Sequence, residues 1–216
     1  MKLNAKVYNG LTSEPAVVQE SENKRIEIHF MNDTPFFNQY ANKGKLSVWS
    51  ANGTTYKLLI EKGYYESVPE IYTASANEIW TSYLGLLVSM QRKFNYIFLG
   101  VSLAIIAIGL GISIPLENTW IGFGAVVIVL ILSMVQNTFL RKRVNAENEK
   151  LQISIRDLVG DQRFNEVVER QQKYYNDFYK VPEPAAEENK DNEIEQLEGN
   201  EPIDAEINEE NSDSNE

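Results

Sequence analysis

Few residues in this chain are of a type that does chemistry, and they are scattered. The only histidine, His29, lies in KRIEIHF, residues 24–30. Apolar and polar residues alternate there as in a strand, and a lone histidine on a strand reads as structural. Cysteine is absent. Disulfides, a thiol nucleophile and thiolate-bound zinc or iron–sulfur clusters are thereby excluded. There is no Gly-rich phosphate loop, no HExxH and no nucleophile elbow. Asp204, Glu206 and Asn208 are spaced like calcium ligands, but Glu209 stands where such a loop needs glycine. The chain reads as non-enzymatic, with no catalytic residues, no cofactor and no metal.

The remaining polar residues of interest are embedded in grease. Residues 94–114, FNYIFLGVSLAIIAIGLGISI, and residues 120–140, WIGFGAVVIVLILSMVQNTFL, carry no charge over 21 positions each. A hydrocarbon core of about 30 Å needs roughly 20 helical residues, so each segment is long enough to cross once. Residues 115–119, PLENT, form the turn: Pro115 cannot continue the first helix, Asn118 or Thr119 can cap the second, and Trp120 suits a membrane interface. Arg92 and Lys93 precede the first span, and Arg141, Lys142 and Arg143 follow the second, while the turn has no basic residue. Basic residues near a span stay on the cytoplasmic side, so both termini are expected there, in a cell (plasma or inner) membrane.

Two series of small or weakly polar residues mark the spans. Gly100, Ala104, Ala107 and Gly111 share one face of the first helix and, with Gly122 and Ala125, are expected to pack the hairpin on itself. Asn95, Ser102, Gly109 and Ser113 fall near the opposite face, and Ser133 and Gln136 lie toward the inner end of the second span. These six are candidates for a homo-oligomer contact or for lining a path. The competing reading has hydroxyls bonded to their own helix and amides hydrated at the interface.

The flanking parts read as α+β. Residues 1–74 are expected to form a small β-rich cytoplasmic domain of three or four strands, with Asn52-Gly53 as a hairpin turn that sets Ala51 opposite Thr54 and Trp49 opposite Tyr56. Residues 75–93 read as an amphipathic juxtamembrane helix opened by Ser75 and Glu78 at capping-box spacing, with Ile79, Tyr83, Leu86, Leu87 and Met90 as its apolar stripe. Residues 141–181 read as two helices separated at Gly160-Asp161, striped by Val144, Leu151, Ile155 and Leu158, then by Phe164, Val167, Val168, Gln171, Tyr175 and Phe178. Glu147 and Ser154 at would-be core positions argue against a sustained coiled coil.

Net charge is −11, yet the last 34 residues hold 14 Asp or Glu against Lys190 alone. The rest of the chain is nearly neutral, so the acidic balance belongs to residues 182–216, read as a disordered tail. No nucleic-acid partner is expected. A basic soluble protein is the partner that such a tail would attract.

From Gln91 to about Glu166 the chain resembles the SLATT group of bacterial two-transmembrane proteins. The basic, aromatic entry QRKFNY, the short turn ending at Trp120 and the exit FLRKRVNAENEKLQISI carry the resemblance, with Arg141, Arg143, Ala146, Glu147 and Leu151 matching the family's pattern. The resemblance implies a hairpin that oligomerises and permeabilises or signals at the membrane. The N-terminal part and the acidic tail lie outside it. From the residues themselves the expectation is a membrane-anchored scaffold in contact with the lipid bilayer, its expected partners being a second copy and a soluble protein; the alternative is an oligomeric, channel-like effector.

Overall fold

The computed structural model describes residues 1–21 and 23–180, so the tail expected at 182–216 and the calcium-like spacing within it lie outside the described residues. The fold is α+β, with an N-terminal sheet and two long apolar helices, and it divides into two compact units.

The first unit comprises residues 1–82 and the segment from Ile153 onward. Its sheet has five strands: β1 (Lys2–Leu3), β2 (Val17–Ser21), β3 (Lys24–Phe30), β4 (Ser47–Asn52) and β5 (Thr55–Ile60), in spatial order β1-β4-β5-β3-β2. All pairs are antiparallel except β3 with β5. A parallel neighbour requires a crossover. Here the chain between β3 and β4 supplies it, through a short helix α2 (Phe37–Tyr40).

The β4–β5 hairpin is shifted from the expected register. Asn52 pairs with Thr55, Ala51 with Tyr56, and Trp49 with Leu58 rather than Tyr56. The reason is the glycine. Gly53, at φ 64°, occupies the first of the two loop positions and is followed by Thr54, so the turn needs positive φ only at its first central residue. The Gly53 N–H is also claimed by the carbonyl of Met1, which extends the sheet at β1.

Because pleating alternates, Ile26, Ile28, Tyr56, Leu58 and Ile60 share one face of the sheet and are buried; Glu27, His29, Ser50 and Lys57 share the other. Helix α1 (Ala5–Gly10) serves the second face: Lys57 Nζ donates to the carbonyls of Tyr8 and Leu11 and lies 4.7 Å from the Tyr8 ring centre. Helix α3 (Lys62–Ser67) follows β5, and a 3₁₀ turn at Pro69–Tyr72 leads into α4 (Ala74–Ser113).

The start of α4 departs from expectation. Thr73, not Ser75, caps it, its hydroxyl accepting from the Ala76 N–H at 3.3 Å. As far as residue 90 its buried residues are Ala76, Asn77, Thr81, Leu84 and Val88, whereas Leu86 is 40% exposed. Asn77 and Thr81 are polar and therefore invisible to a search for apolar stripes. Asn77 donates to Gln19 Oε1 and to the Tyr72 carbonyl, both at 2.9 Å, which satisfies its amide nitrogen, while its Oδ1 is buried without a hydrogen-bond partner.

Helix α6 (Asp161–Tyr179) belongs to the same unit and starts at Gly160, whose φ of 92° breaks the preceding helix α5 (Thr119–Val159). Phe164 and Val167 are buried, but the expected stripe residue Tyr175 is 36% exposed.

The second unit is Tyr83–Gln152: most of α4, a turn, and most of α5. Both helices are long and apolar enough to cross a membrane. The turn is built from polar side chains. Ser113 Oγ donates to the Asn118 carbonyl at 2.7 Å, Asn118 N–H returns to the Ser113 carbonyl at 3.1 Å, and Asn118 Oδ1 caps α5 by accepting from the Trp120 N–H at 3.1 Å. Glu117 takes a left-handed conformation, φ 50°, to close the loop.

Candidate functional site

The most unusual surface in the described residues is that of the second unit. In the most apolar stretch of α4 only 17% of residues are buried, and in that of α5 only 6%. A core helix of a globular protein would invert these proportions. Tyr96, Ile97, Leu99, Leu103, Ile108, Phe123, Ile128, Leu130, Ile131, Met134 and Phe139 all stand exposed. Apolar patches of this extent mark contact with a membrane or a protein partner.

The inward face is narrow, and it is the face opposite to the one expected. On α4, Val88, Gln91, Phe98, Ser102, Ile105, Gly109 and Ser113 are buried or half-buried; on α5, Ala125, Val129, Leu132, Gln136, Leu140, Val144 and Leu151 are. Most steps are of three or four residues, the spacing of a coiled-coil seam, with steps of seven from Gln91 to Phe98 and from Val144 to Leu151. Glu147 is half-buried between Val144 and Leu151, where its carboxylate accepts from Lys150 Nζ at 2.7 Å, and Ser154 is exposed.

Gly109 sits against Ala125, so close that a Cβ at 109 would overlap the Ala125 methyl. Gly122 lies beside Ser113, with 3.5 Å from its would-be Cβ to Ser113 Oγ. Thus Gly122 and Ala125 do meet the first helix, through Gly109 and Ser113. By contrast, Cβ atoms built at Gly100 and Gly111 meet nothing within 4 Å, and Ala104 and Ala107 are exposed. The packing face predicted from Gly100, Ala104, Ala107 and Gly111 is therefore corrected: the helices approach through Ser102, Gly109 and Ser113. Both series satisfy helical periodicity, and only the mate of each face distinguishes them.

The candidate path-lining set is accordingly dispersed. Ser102, Gly109 and Ser113 are buried inside the hairpin, Asn95 is exposed, and Ser133 and Gln136 are half-buried. Arg92, Lys93, Arg141, Lys142 and Arg143 are all exposed.

Chemistry-bearing residues of the first unit form two groups. His29 is 2% exposed, with Nε2 3.7 Å from Glu27 Oε2. Burial, and then the charge of Lys57, push its pKa below 6.5, outweighing the opposite pull of Glu27. Glu27 is itself held below 4.5: burial raises it, but the hydrogen bond from Arg25 at 2.7 Å and the charge of Lys57 prevail.

The second group clamps α6. Glu61 is buried, caps α3 through the Tyr64 N–H at 2.6 Å, and accepts from Asn32 Nδ2 at 2.9 Å and Tyr174 Oη at 2.7 Å. Burial pushes this carboxyl up, yet the hydrogen bonds from Asn32, Tyr174 and backbone N–H groups hold it below 4.5. Arg170 donates to the Ser67 carbonyl at 2.9 Å and to Glu70 at 2.7 Å, and Gln171 to the Tyr64 hydroxyl at 2.6 Å. Tyr179 donates to the Ala41 carbonyl. Sequence periodicity identified Gln171 but not Arg170, Tyr174 or Tyr179; the signal available was the concentration of tyrosines in KYYNDFY. Among the described residues no group of three or more His, Asp or Glu is arranged to hold a metal ion.

No protein family, curated protein or solved structure matches this chain.

Proposed function

We propose that the chain is a membrane-anchored, non-enzymatic scaffold whose two long helices cross the bilayer as a hairpin, with both termini in the cytoplasm. One observation carries this reading: apolar side chains point outward on nearly all sides of two adjacent helices, over the length of a bilayer core. Aromatic residues support it. Tyr96 and Phe139 stand exposed near one end of the belt, Trp120 and Phe123 near the other. Along α5, Phe139 and Trp120 are about 28 Å apart at 1.5 Å per residue, close to the hydrocarbon thickness.

The clamped domain then presents itself to soluble partners, and the acidic tail attracts a basic one. A channel-like assembly is the weaker reading, because Ser102, Gly109 and Ser113, which would line its path, are consumed by packing within one chain. Self-association is left to the outward series Gly100, Ala104, Ala107 and Gly111, where another backbone can approach.

The chain has no cysteine, so single-cysteine labelling tests the arrangement cleanly. Glu117→Cys is expected to react with a membrane-impermeant maleimide in intact cells, and Ser13→Cys, at an exposed position, only after lysis. Equal labelling of both in intact cells, or recovery of the full chain as a lipid-free soluble monomer, would end the membrane reading. Ion flux through liposomes carrying the pure protein would replace the scaffold with the channel.

A further inference from the structure

We propose that Arg92, Lys93, Arg141, Lys142 and Arg143 form a single collar that binds the phosphates of anionic phospholipid headgroups; the inference rests on the membrane-hairpin reading above. Arg92 lies 22 positions before Ile114, and Arg141 lies 22 positions after Thr119, at the two edges of the turn. At 1.5 Å per residue both are about 33 Å from it. The antiparallel helices therefore bring two basic clusters, 49 positions apart in sequence from Arg92 to Arg141, to one level, just beyond the apolar belt.

The collar faces outward. The seam at this level consists of Gln91, Leu140 and Val144, all half-buried, and the five basic residues occupy the remaining, exposed arcs of both helices. Their charge is also unspent. None of the five makes an ion pair within the described residues, whereas Arg25, Lys57, Lys150 and Arg170 each do. Between Glu78 and Glu147 the only acid is Glu117, at the far end of the hairpin. Glu147, the nearest acid beyond the collar, is engaged by Lys150 at 2.7 Å.

Five uncompensated cations at the depth of the headgroups call for an anionic counterpart, and the bilayer holds phosphates at that depth. Arginine suits phosphate in particular, since its planar fork offers parallel donors. Each basic residue beside an anionic membrane surface contributes roughly a factor of five in affinity. A lipid phosphate differs from dissolved phosphate in being held at the level of the collar by its acyl chains, so lipid is the occupant to which the geometry points.

The test is lipid selection by the full-length protein. Purified chain is equilibrated in mixed micelles of detergent, phosphatidylcholine and phosphatidylglycerol, repurified, and its retained lipid quantified. At least about fivefold enrichment of phosphatidylglycerol is expected. Replacing all five residues with Gln should abolish it, while Arg→Lys at 92, 141 and 143 should retain most of it. Retention in the bulk ratio by the wild-type chain, or undiminished enrichment in the five-Gln variant, overturns the proposal. So does loss of enrichment with inorganic phosphate but not with chloride at equal ionic strength, which would assign the site to free phosphate. Carbonate-resistant incorporation into neutral phosphatidylcholine vesicles separates the two levels: a chain that inserts without selecting lipid sinks the collar alone, and one that fails to insert into any vesicle sinks the hairpin and the collar together.

Discussion

Tyr174 donates its phenol proton to the carboxylate of Glu61 at 2.7 Å, across 113 positions of sequence. The same carboxylate caps α3, so one side chain both starts a helix and fastens α6 to the domain. Tyr174→Phe is expected to cost about 1 kcal/mol, because the bond is charge-assisted but only partly buried. Glu61→Ala is expected to cost more, about 2–3 kcal/mol, by leaving the Asn32 amide and the Tyr64 N–H without their acceptor. Thermal unfolding of the detergent-solubilised chain measures both, and amide exchange along α6 should rise first in Tyr174→Phe. Equal stability of the two variants would contradict the shared role of Glu61.

Acid should destabilise the first unit in two stages. The folded pKa of His29 lies below its ordinary 6.5, so the unfolded chain binds the proton more readily. Stability is therefore complete above about 6.5 and declines as pH falls from there toward the folded value. Glu27 and Glu61 are held below 4.5, and their contribution, present above that value, is lost as pH falls through their folded pKa values. His29→Gln should remove the upper stage and leave the lower one, read as Tm against pH. An unchanged slope just below 6.5 in the variant would assign that stage to another group.

The contact between Ser113 and Gly122 offers a covalent test of the hairpin. A Cβ at Gly122 would lie 3.8 Å from Ser113 Cβ, a separation suited to a disulfide. Ser113→Cys with Gly122→Cys is expected to oxidise within one chain, in a protein that otherwise has no thiol. Failure to cross-link under oxidant would mean that the helices meet elsewhere.

Gly109→Leu should prevent that cross-link, since its side chain has no room beside Ala125. Overpacking of this kind costs about 1–3 kcal/mol. Gly100→Leu and Gly111→Leu face open space, so the cross-link should persist in both, while any assembly of several copies should weaken. Gel mobility after oxidation and native mass spectrometry read the two effects separately.

How much of this was legible in the sequence varies with the physics involved. The two long apolar helices follow from length and absence of charge, which need no knowledge of neighbours. Strand β3 follows from the alternation in KRIEIHF, but its parallel partner β5 does not, because alternation carries no information on direction. Asn52-Gly53 marked the hairpin, yet the register depended on which loop position Gly53 would take. The face on which α4 meets α5 is not legible, because small residues recur on both sides of α4 and periodicity alone cannot say which side meets α5. Burial of Asn77 and Thr81 ran against composition and was recoverable only through their partners, Gln19, Tyr72 and Lys24.

The clamp from Arg170 to Glu70, 100 positions apart, also sets an order of events during synthesis. The ribosome makes the sheet first, then both apolar helices, and only afterwards α6. Until residues 161–179 emerge, Glu61 lacks its Tyr174 donor and the Tyr64 hydroxyl lacks Gln171. The sheet-bearing unit is thus finished last, after both long apolar helices have been made, and a chain truncated before α6 would leave that unit exposed to proteolysis.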